Sequence, residues 1–206
     1  QSLRTGGDYR GGTINVGGRM DASIGRSLTL ASLTAGDVNP LRTGGDAVIG
    51  QTDIRGNALL DIGGSLRGDS FFVGGSLDAV VGQSVDLGEL NAGDISQLRT
   101  GGDATITRTD VGGNATLDIG GGLQGDTFSV GGTLDAIIGS GVDLASLTAG
   151  EISQLRTGGD ALMDSVDVGG GALFDIGGNM QGTSLSVGRS AEVQAGGAVE
   201  YNAISI

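Results

Sequence analysis

The stretch GGDATITRTDVGGNATLDI, residues 101–119, contains the pattern that decides the fold. Its apolar residues recur mostly at every second position, and its glycines stand in pairs at 101–102 and 112–113. Alternation by two is the period of a β-strand, which buries one face, whereas a helix would repeat at three and four. Paired glycines are typical of tight turns, so the stretch predicts short strands separated by corners.

The same pattern returns along the chain with a 19-residue period. The string Leu-Arg-Thr-Gly-Gly-Asp starts at positions 3, 41, 98 and 155, and the intervals between these starts are all multiples of 19. Division from Gly6 onward gives ten coils, with glycine at position 1 of all ten and at position 12 of nine, Arg55 being the exception. A fixed period of this kind is the signature of a repeat architecture.

A second level of repetition groups the coils by three. Residues 44–100 and 101–157 differ at 19 of 57 positions, which leaves 38 identical. Three coil types alternate in each module, and they carry Leu-Asp-Ile (first type), Leu-Asp-Ala (second type) and Leu-Arg-Thr (third type). Coil 6–24 is of the second type although it follows the third-type residues 3–5, so one coil is absent there. A solenoid tolerates such an excision because each coil contacts only its neighbours.

Positions 4, 6, 9, 11, 15, 17 and 19 of each coil are expected to point inward from three short strands, with corner glycines supplying positive φ. One triangle of strands cannot bury its own apolar face, so the coils must stack in parallel, ~4.8 Å apart, into a rod of roughly 50 Å. The rule for parallel crossovers favours a right-handed path. The sequence therefore predicts an all-β fold, a single-stranded right-handed parallel β-helix (β-solenoid) with triangular 19-residue coils. It would form one continuous domain over residues 1–206, with full coils at 6–195, partial coils at 1–5 and 196–206, and no recognisable caps.

Opposite charges are expected to face each other between neighbouring coils at position 18. Third-type coils carry arginine there and the following first-type coils carry aspartate, which predicts the pairs Arg42 with Asp61, Arg99 with Asp118, and Arg156 with Asp175. Such cross-strand pairs on an outer face add about 0.2–1 kcal/mol each. Arg4 lacks this partner, because the corresponding residue is Ser23. Ladder pairs that set the register are the preferred interpretation, and ligand binding by the arginines is the alternative.

The aspartates of the Gly-Gly-Asp corners raise the question of calcium. Tandem Gly-Gly-x-Gly-x-Asp nonapeptides bind Ca²⁺ through carboxylate and carbonyl oxygens. The candidate ligands here are Asp8, Asp46, Asp103 and Asp160. The second Gly-x-Asp is missing, the period is 19 rather than 9, and equivalent acids lie three coils or ~14 Å apart. A solvated acidic face that keeps the rod soluble is therefore preferred over a defined calcium site, and no cofactor is expected.

Composition argues against several functional classes. The chain has 44 glycines, no His and no Cys, so it lacks a Ser-His-Asp triad, a thiol nucleophile and an ordinary zinc site, and we expect no enzyme. A net charge of -13 disfavours nucleic acid and acidic membrane surfaces as partners. No apolar run is long enough to span a bilayer, so no membrane insertion is expected.

Aromatic residues are too few to suggest a polysaccharide-cleaving solenoid, which stacks sugars on aromatic side chains in a cleft of long loops. Aromatics make up 3% of the chain, and no coil is long enough to build such a loop. Phe72, Phe128 and Phe174 occupy differing rows, with Phe128 and Phe174 at inward positions. Core packing of these phenylalanines is therefore preferred over a sugar platform.

The glycine-punctuated 19-residue coil with inward Leu, Ile, Val and Ala, acidic and free of cysteine, resembles the β-helical shaft of large bacterial secreted adhesins. The filamentous-haemagglutinin type of two-partner secretion exoprotein is the nearest resemblance, and it covers residues 6–206 through period and composition. The resemblance implies export, display outside the cell or on the bacterial surface, and a structural shaft that holds a binding tip away from the cell. Flanking coils of a longer chain would then be its partners.

Self-assembly is the alternative function. An exposed end coil is an unpaired parallel edge and a template for association. Residues 196–206 supply the first eleven positions of a coil and residues 1–5 supply the last five, so end-to-end stacking of copies would nearly complete one coil. Bactofilin-type filaments polymerise by stacking β-helices in this way. A calcium-stabilised repeat domain is the third interpretation.

Overall fold

The computed structural model describes all 206 residues and shows a parallel β-solenoid of about 11 turns with no helix. Every strand pairs in parallel with strands of the neighbouring coils, and partner residues are 19 positions apart along most of the chain. The strands are β1 Ser2–Thr5, β2 Tyr9–Ile24, β3 Leu28–Thr43, β4 Ala47–Ile54, β5 Ala58–Ile62, β6 Leu66–Val81, β7 Val85–Thr100, β8 Ala104–Val111, β9 Ala115–Ile119, β10 Leu123–Ile138, β11 Val142–Thr157, β12 Ala161–Val168, β13 Ala172–Ile176, β14 Met180–Val187, β15 Ala191–Ala195 and β16 Val199–Ser205. The prediction of an all-β solenoid of stacked 19-residue coils is confirmed.

The apolar residues face one continuous core, and the first-type coils follow the predicted inward positions closely. In coil 101–119 the buried residues are Ala104, Ile106, Thr109, Val111, Ala115, Leu117 and Ile119. These fall into three groups separated by bends, so each coil has a first side at positions 4–6, a second side at positions 9–11 and a third side at positions 15–19. The first, second and third corners lie near positions 1–3, 7–8 and 12–14. Fifty-six buried apolar residues form a single cluster along the rod. No coil has a core of its own, which is why the coils are stable only as a stack.

The third side of the third-type coils departs from the predicted pattern. Val38, Ile95 and Ile152 are buried there, so position 14 points inward and the prediction for position 15 is wrong in these coils. The corner before Ile95 has two residues, whereas the corner of the next coil has three. The residue that the corner lacks is accommodated within the strand, where the register shifts between Ile95 and Leu98. A shorter corner is therefore compensated by a β-bulge.

The corner glycines are required for a reason other than the predicted one. No glycine in the chain has a positive φ, so that expectation is wrong. A Cβ atom built on Gly101 would instead overlap the carbonyl oxygen of Gly82, and one built on Gly120 would lie 2.5 Å from the oxygen of Gly101. Stacked corners at the strand spacing leave no room for a side chain, so position 1 forms a column of glycines.

Six of the buried residues are polar, and five of these are threonines with two different environments. In the third-type coils the hydroxyls of Thr43, Thr100 and Thr157 each donate to the carbonyl oxygen two residues later, at 2.7 Å. In the first-type coils the hydroxyls of Thr52 and Thr109 are buried without a hydrogen-bond partner. The third first-type coil has Val166 at this position, so the hydroxyl is dispensable for the fold.

Candidate functional site

The four aspartates considered as calcium ligands connect successive coils at the first corner. In each case Oδ1 accepts a hydrogen bond from the backbone N–H at the equivalent position of the next coil. The N···O distances are 3.1 Å from Ser27 to Asp8, 2.9 Å from Ser65 to Asp46, 2.8 Å from Gly122 to Asp103, and 2.7 Å from Asn179 to Asp160. These carboxylates satisfy backbone donors at a bend, where the strand ladder is interrupted.

The same four aspartates do not converge on a common point. No group of three or more Asp, Glu, His or Cys side chains is placed so that it could hold a metal ion. Calcium sites require six to eight oxygen ligands around one ion. The arrangement of this corner therefore suits a side-chain ladder along the rod, and the aspartates act as structural acceptors.

The third corner has a second ladder that sequence reasoning missed. Asp94 Oδ1 accepts from the N–H of Asn114 at 2.8 Å, and Asn114 Oδ1 accepts from the N–H of Thr133 at 2.9 Å. The preceding module repeats the arrangement from Asp37 through Asn57 to Ser76, at 3.0 and 2.9 Å. The sequence signals are the Gly-Asp and Gly-Asn pairs at these corners, since Asp and Asn side chains readily bond nearby backbone N–H groups.

The last module lacks this second ladder. Glu151 replaces the aspartate and Gly171 replaces the asparagine, so no side-chain acceptor reaches the N–H of Ser190. A Cβ atom on Gly171 would meet no heavy atom closer than 3.4 Å, the Oγ of Ser190. An added β-carbon therefore makes only ordinary van der Waals contacts at this position.

The arginine and aspartate side chains at position 18 lie side by side on the third side of the rod. The Nε to Oδ2 distance is 3.4 Å for Arg42 with Asp61, 3.2 Å for Arg99 with Asp118, and 2.9 Å for Arg156 with Asp175. The arginine side chains are 57–61% exposed, so water screens each pair and its net contribution stays within about 1 kcal/mol. Arg4 pairs in register with Ser23 and has no carboxylate partner there.

One phenylalanine, Phe72, lies on the surface; its position 10 is not one of the predicted inward rows, so the general preference for core packing fails only for this residue. Phe71 is 2% exposed and Phe72 is 47% exposed, because neighbouring residues of a strand point to opposite faces. Phe128 and Phe174 are buried as expected. Phe72 is the only exposed aromatic residue of the chain, and it borders a surface depression of about 550 Å³ on the second side of the rod.

The final coil contributes the one titratable group with a clearly shifted pKa. Burial raises the pKa of Tyr201 to about 12, and the nearby carboxylate of Asp164 acts in the same direction. The Tyr201 hydroxyl is buried without a hydrogen-bond partner. Its ring lies over Gly182, whose missing side chain leaves the space that the ring fills.

Comparison of the chain with known protein families, with curated proteins and with solved structures finds no match. The structure contains no helix that is long and apolar enough to cross a membrane.

Proposed function

We propose that this chain is a non-catalytic structural shaft, a repeat segment of a bacterial extracellular or cell-surface protein with an adhesin-like scaffold role. The observation that carries the proposal is the unbroken stacking of 19-residue coils around a single core of 56 apolar residues. The first and third corners are further connected from coil to coil by aspartate and asparagine side chains. A stack connected in this way is suited to holding two points a fixed distance apart.

In-register excision of one module tests the shaft role. Deletion of residues 44–100 joins Thr43 to Gly101 and keeps the coil register, since the deleted segment is three whole coils. We expect the shortened chain to fold and its maximum dimension, measured by small-angle X-ray scattering, to fall by about 14 Å. Far-UV circular dichroism should show the same β-sheet spectrum before and after the deletion.

Deletion of residues 44–97 is the matched control. It ends three positions earlier, so it removes nearly the same mass but shifts the following coils out of register by those three positions. We expect this variant to lose its folded spectrum or to aggregate, because inward residues are placed at corners. If the in-register deletion unfolds as completely as the control, the coils are not independent building units and the shaft proposal is wrong.

Display outside the cell is tested separately, because the fold does not determine where the protein is located. An antibody raised against the purified chain should label intact cells of the source organism, and external protease should remove the label. Labelling that appears only after the cells are permeabilised would overturn the extracellular assignment and leave the scaffold role to be judged by the deletion experiment.

A homopolymeric filament is the second candidate. β1 pairs only with β2 and β16 pairs only with β14, so each leaves one parallel edge without a partner strand. An unpaired strand edge is a template for association with a second copy. Electron microscopy should then show filaments with a repeat of ~50 Å, whereas a monodisperse monomer at high concentration would contradict self-assembly.

A further inference from the structure

The surface of the second side is a column of polar residues interrupted by Phe72. Phe72 lies between Asp53 in the preceding coil and Asn91 in the following coil, each directly paired with it in the strand register. The equivalent residues of the other second-type coils are Asn15, Ser129 and Ser186. Because three copies of the same coil fold with a small polar residue here, the phenyl ring is not needed for the architecture.

Phe72 stands between two depressions of the surface. The larger, of about 550 Å³, is lined by polar side chains that include Thr34, Gln51 and Asp53. The smaller, of about 280 Å³, lies toward the following coils and includes Asn91 and Asp110. Both depressions are shallow and open to solvent, which suits a ligand that binds on the surface of the rod.

The polar groups around the ring are free to bind a ligand. None of Asp53, Asn91 and Gln51 takes part in a side-chain hydrogen bond or ion pair of the rod, whereas hydroxyls of the adjoining column bond one another, as Ser32 with Thr13. The surface around Phe72 therefore offers one flat apolar ring, free hydrogen-bond acceptors on Asp53, and amide donors on Asn91 and Gln51. Neither depression is lined by an arginine.

We propose that Phe72, with Asp53 and Asn91, forms a shallow binding site for a neutral hexopyranose unit of an oligosaccharide. The C–H face of a pyranose ring is apolar and packs against the exposed phenyl ring, while its hydroxyls donate to the Asp53 carboxylate and exchange hydrogen bonds with the amides of Asn91 and Gln51. Carboxylates at 53 and 110 repel uronate and sulfated sugars, which selects uncharged ones. Because both depressions are open to solvent, the bound pyranose can belong to a longer sugar chain.

The test uses the 206-residue chain and two neutral probes, lactose and cellotetraose, with trigalacturonate as the acidic probe. Saturation-transfer difference NMR should show transfer to pyranose C–H protons of at least one neutral probe, with a Kd of roughly 1 mM for a single stacked ring, and none to trigalacturonate. Phe72→Ser should weaken that binding by about tenfold or more without changing the unfolding midpoint, since Ser129 occupies the same position in the next module. Asp53→Asn should keep neutral binding within a few fold and permit transfer to trigalacturonate.

Val80→Ser is the control for loss of exposed apolar surface. Val80 is 40% exposed but lies on the third side of the rod, so its replacement should leave sugar binding unchanged. The proposal is wrong if neither neutral probe binds at about 10 mM, or if Phe72→Ser and Val80→Ser behave alike. A change of sedimentation coefficient in Phe72→Ser without any sugar binding would make Phe72 a contact between copies of the chain and would also overturn the proposal.

Discussion

The same substitution, threonine to valine, should change the stability of this protein in opposite directions at two buried positions. Thr109 is fully buried at position 9 of its coil, and its hydroxyl has no hydrogen-bond partner. Thr100 is 3% exposed at position 19 of the preceding coil, and its hydroxyl donates to the carbonyl oxygen of Gly102 at 2.7 Å. Both residues lie near the middle of the rod, so fraying of the end coils affects them equally.

The expected magnitudes come from the two environments. An unbonded hydroxyl in an apolar core costs about 1–3 kcal/mol, so Thr109→Val should raise the free energy of unfolding by about 1–2 kcal/mol. Val166 occupies the equivalent site, which shows that the isosteric side chain fits. Thr100→Val removes one hydrogen bond and should lower the free energy of unfolding by about 0.5–1.5 kcal/mol. The carbonyl oxygen of Gly102 still accepts a hydrogen bond from the N–H of Gly121 at 3.0 Å, which limits the loss of stability.

Urea unfolding followed by far-UV circular dichroism measures both effects as shifts of the midpoint at an unchanged m-value. Thr52→Val should repeat the gain of Thr109→Val, and Thr43→Val should repeat the loss of Thr100→Val, because the environments recur one module earlier. Midpoint shifts of the same sign for Thr109→Val and Thr100→Val would refute the reasoning that hydrogen bonding of the hydroxyl decides the outcome.

Four further substitutions test the corners and the final coil. Gly101→Ala should destabilise the fold by about 1–3 kcal/mol in urea unfolding, whereas Gly112→Ala, whose nearest neighbour is 3.6 Å from the added Cβ, should cost less than half as much. Gly171→Asn should raise the urea midpoint by the equivalent of about 0.5–1.5 kcal/mol, because the new amide oxygen can accept a hydrogen bond from the N–H of Ser190. An unchanged midpoint would contradict a stabilising role for this ladder. Because the pKa of Tyr201 is raised to about 12 in the folded state, its phenol binds its proton more tightly there than in the unfolded chain. The contribution of Tyr201 to the free energy of unfolding should be constant below pH 10 and fall between pH 10 and 12. Tyr201→Phe should remove this part of the pH dependence of thermal unfolding. An equal loss of stability in both proteins would show that another group causes it.

The architecture could be predicted because it is determined mainly by two features of the sequence, the alternation of apolar residues and the 19-residue period. The inward rows of coil 101–119 are buried as the sequence indicates, since a one-residue slip would turn every side chain to the other face. The prediction of position 15 failed in the third-type coils because a corner shortened by one residue is balanced by a bulge further along the strand. A coil with a three-residue corner and a coil with a two-residue corner and a bulge both contain 19 residues. The period alone therefore cannot show which of the two a coil adopts.

The surface was less predictable than the core. Phe71 and Phe72 occupy positions 9 and 10 of their coil, so the inward rows indicate that the first is buried and the second exposed. The corner aspartates are harder to interpret from the sequence. Asp46 has the residue type of a calcium ligand, but its oxygen accepts the N–H of Ser65 in the next coil, a contact that becomes visible only when the coils are stacked.

The junction at residues 3–5 shows why a binding site can arise on the outward columns of the rod. There a third-type strand stacks directly on a second-type coil, and the pairing keeps the offset of one coil length, with Arg4 opposite Ser23. Coils of different types are therefore compatible neighbours, because the glycine column at position 1, most of the inward rows and the backbone ladder are common to all of them. Outward residues are under no such constraint, and a single change such as serine to phenylalanine at position 10 leaves the rod intact. A repeat fold of this kind can acquire a binding site in one coil without altering the others, which is the situation of Phe72 among its three polar counterparts.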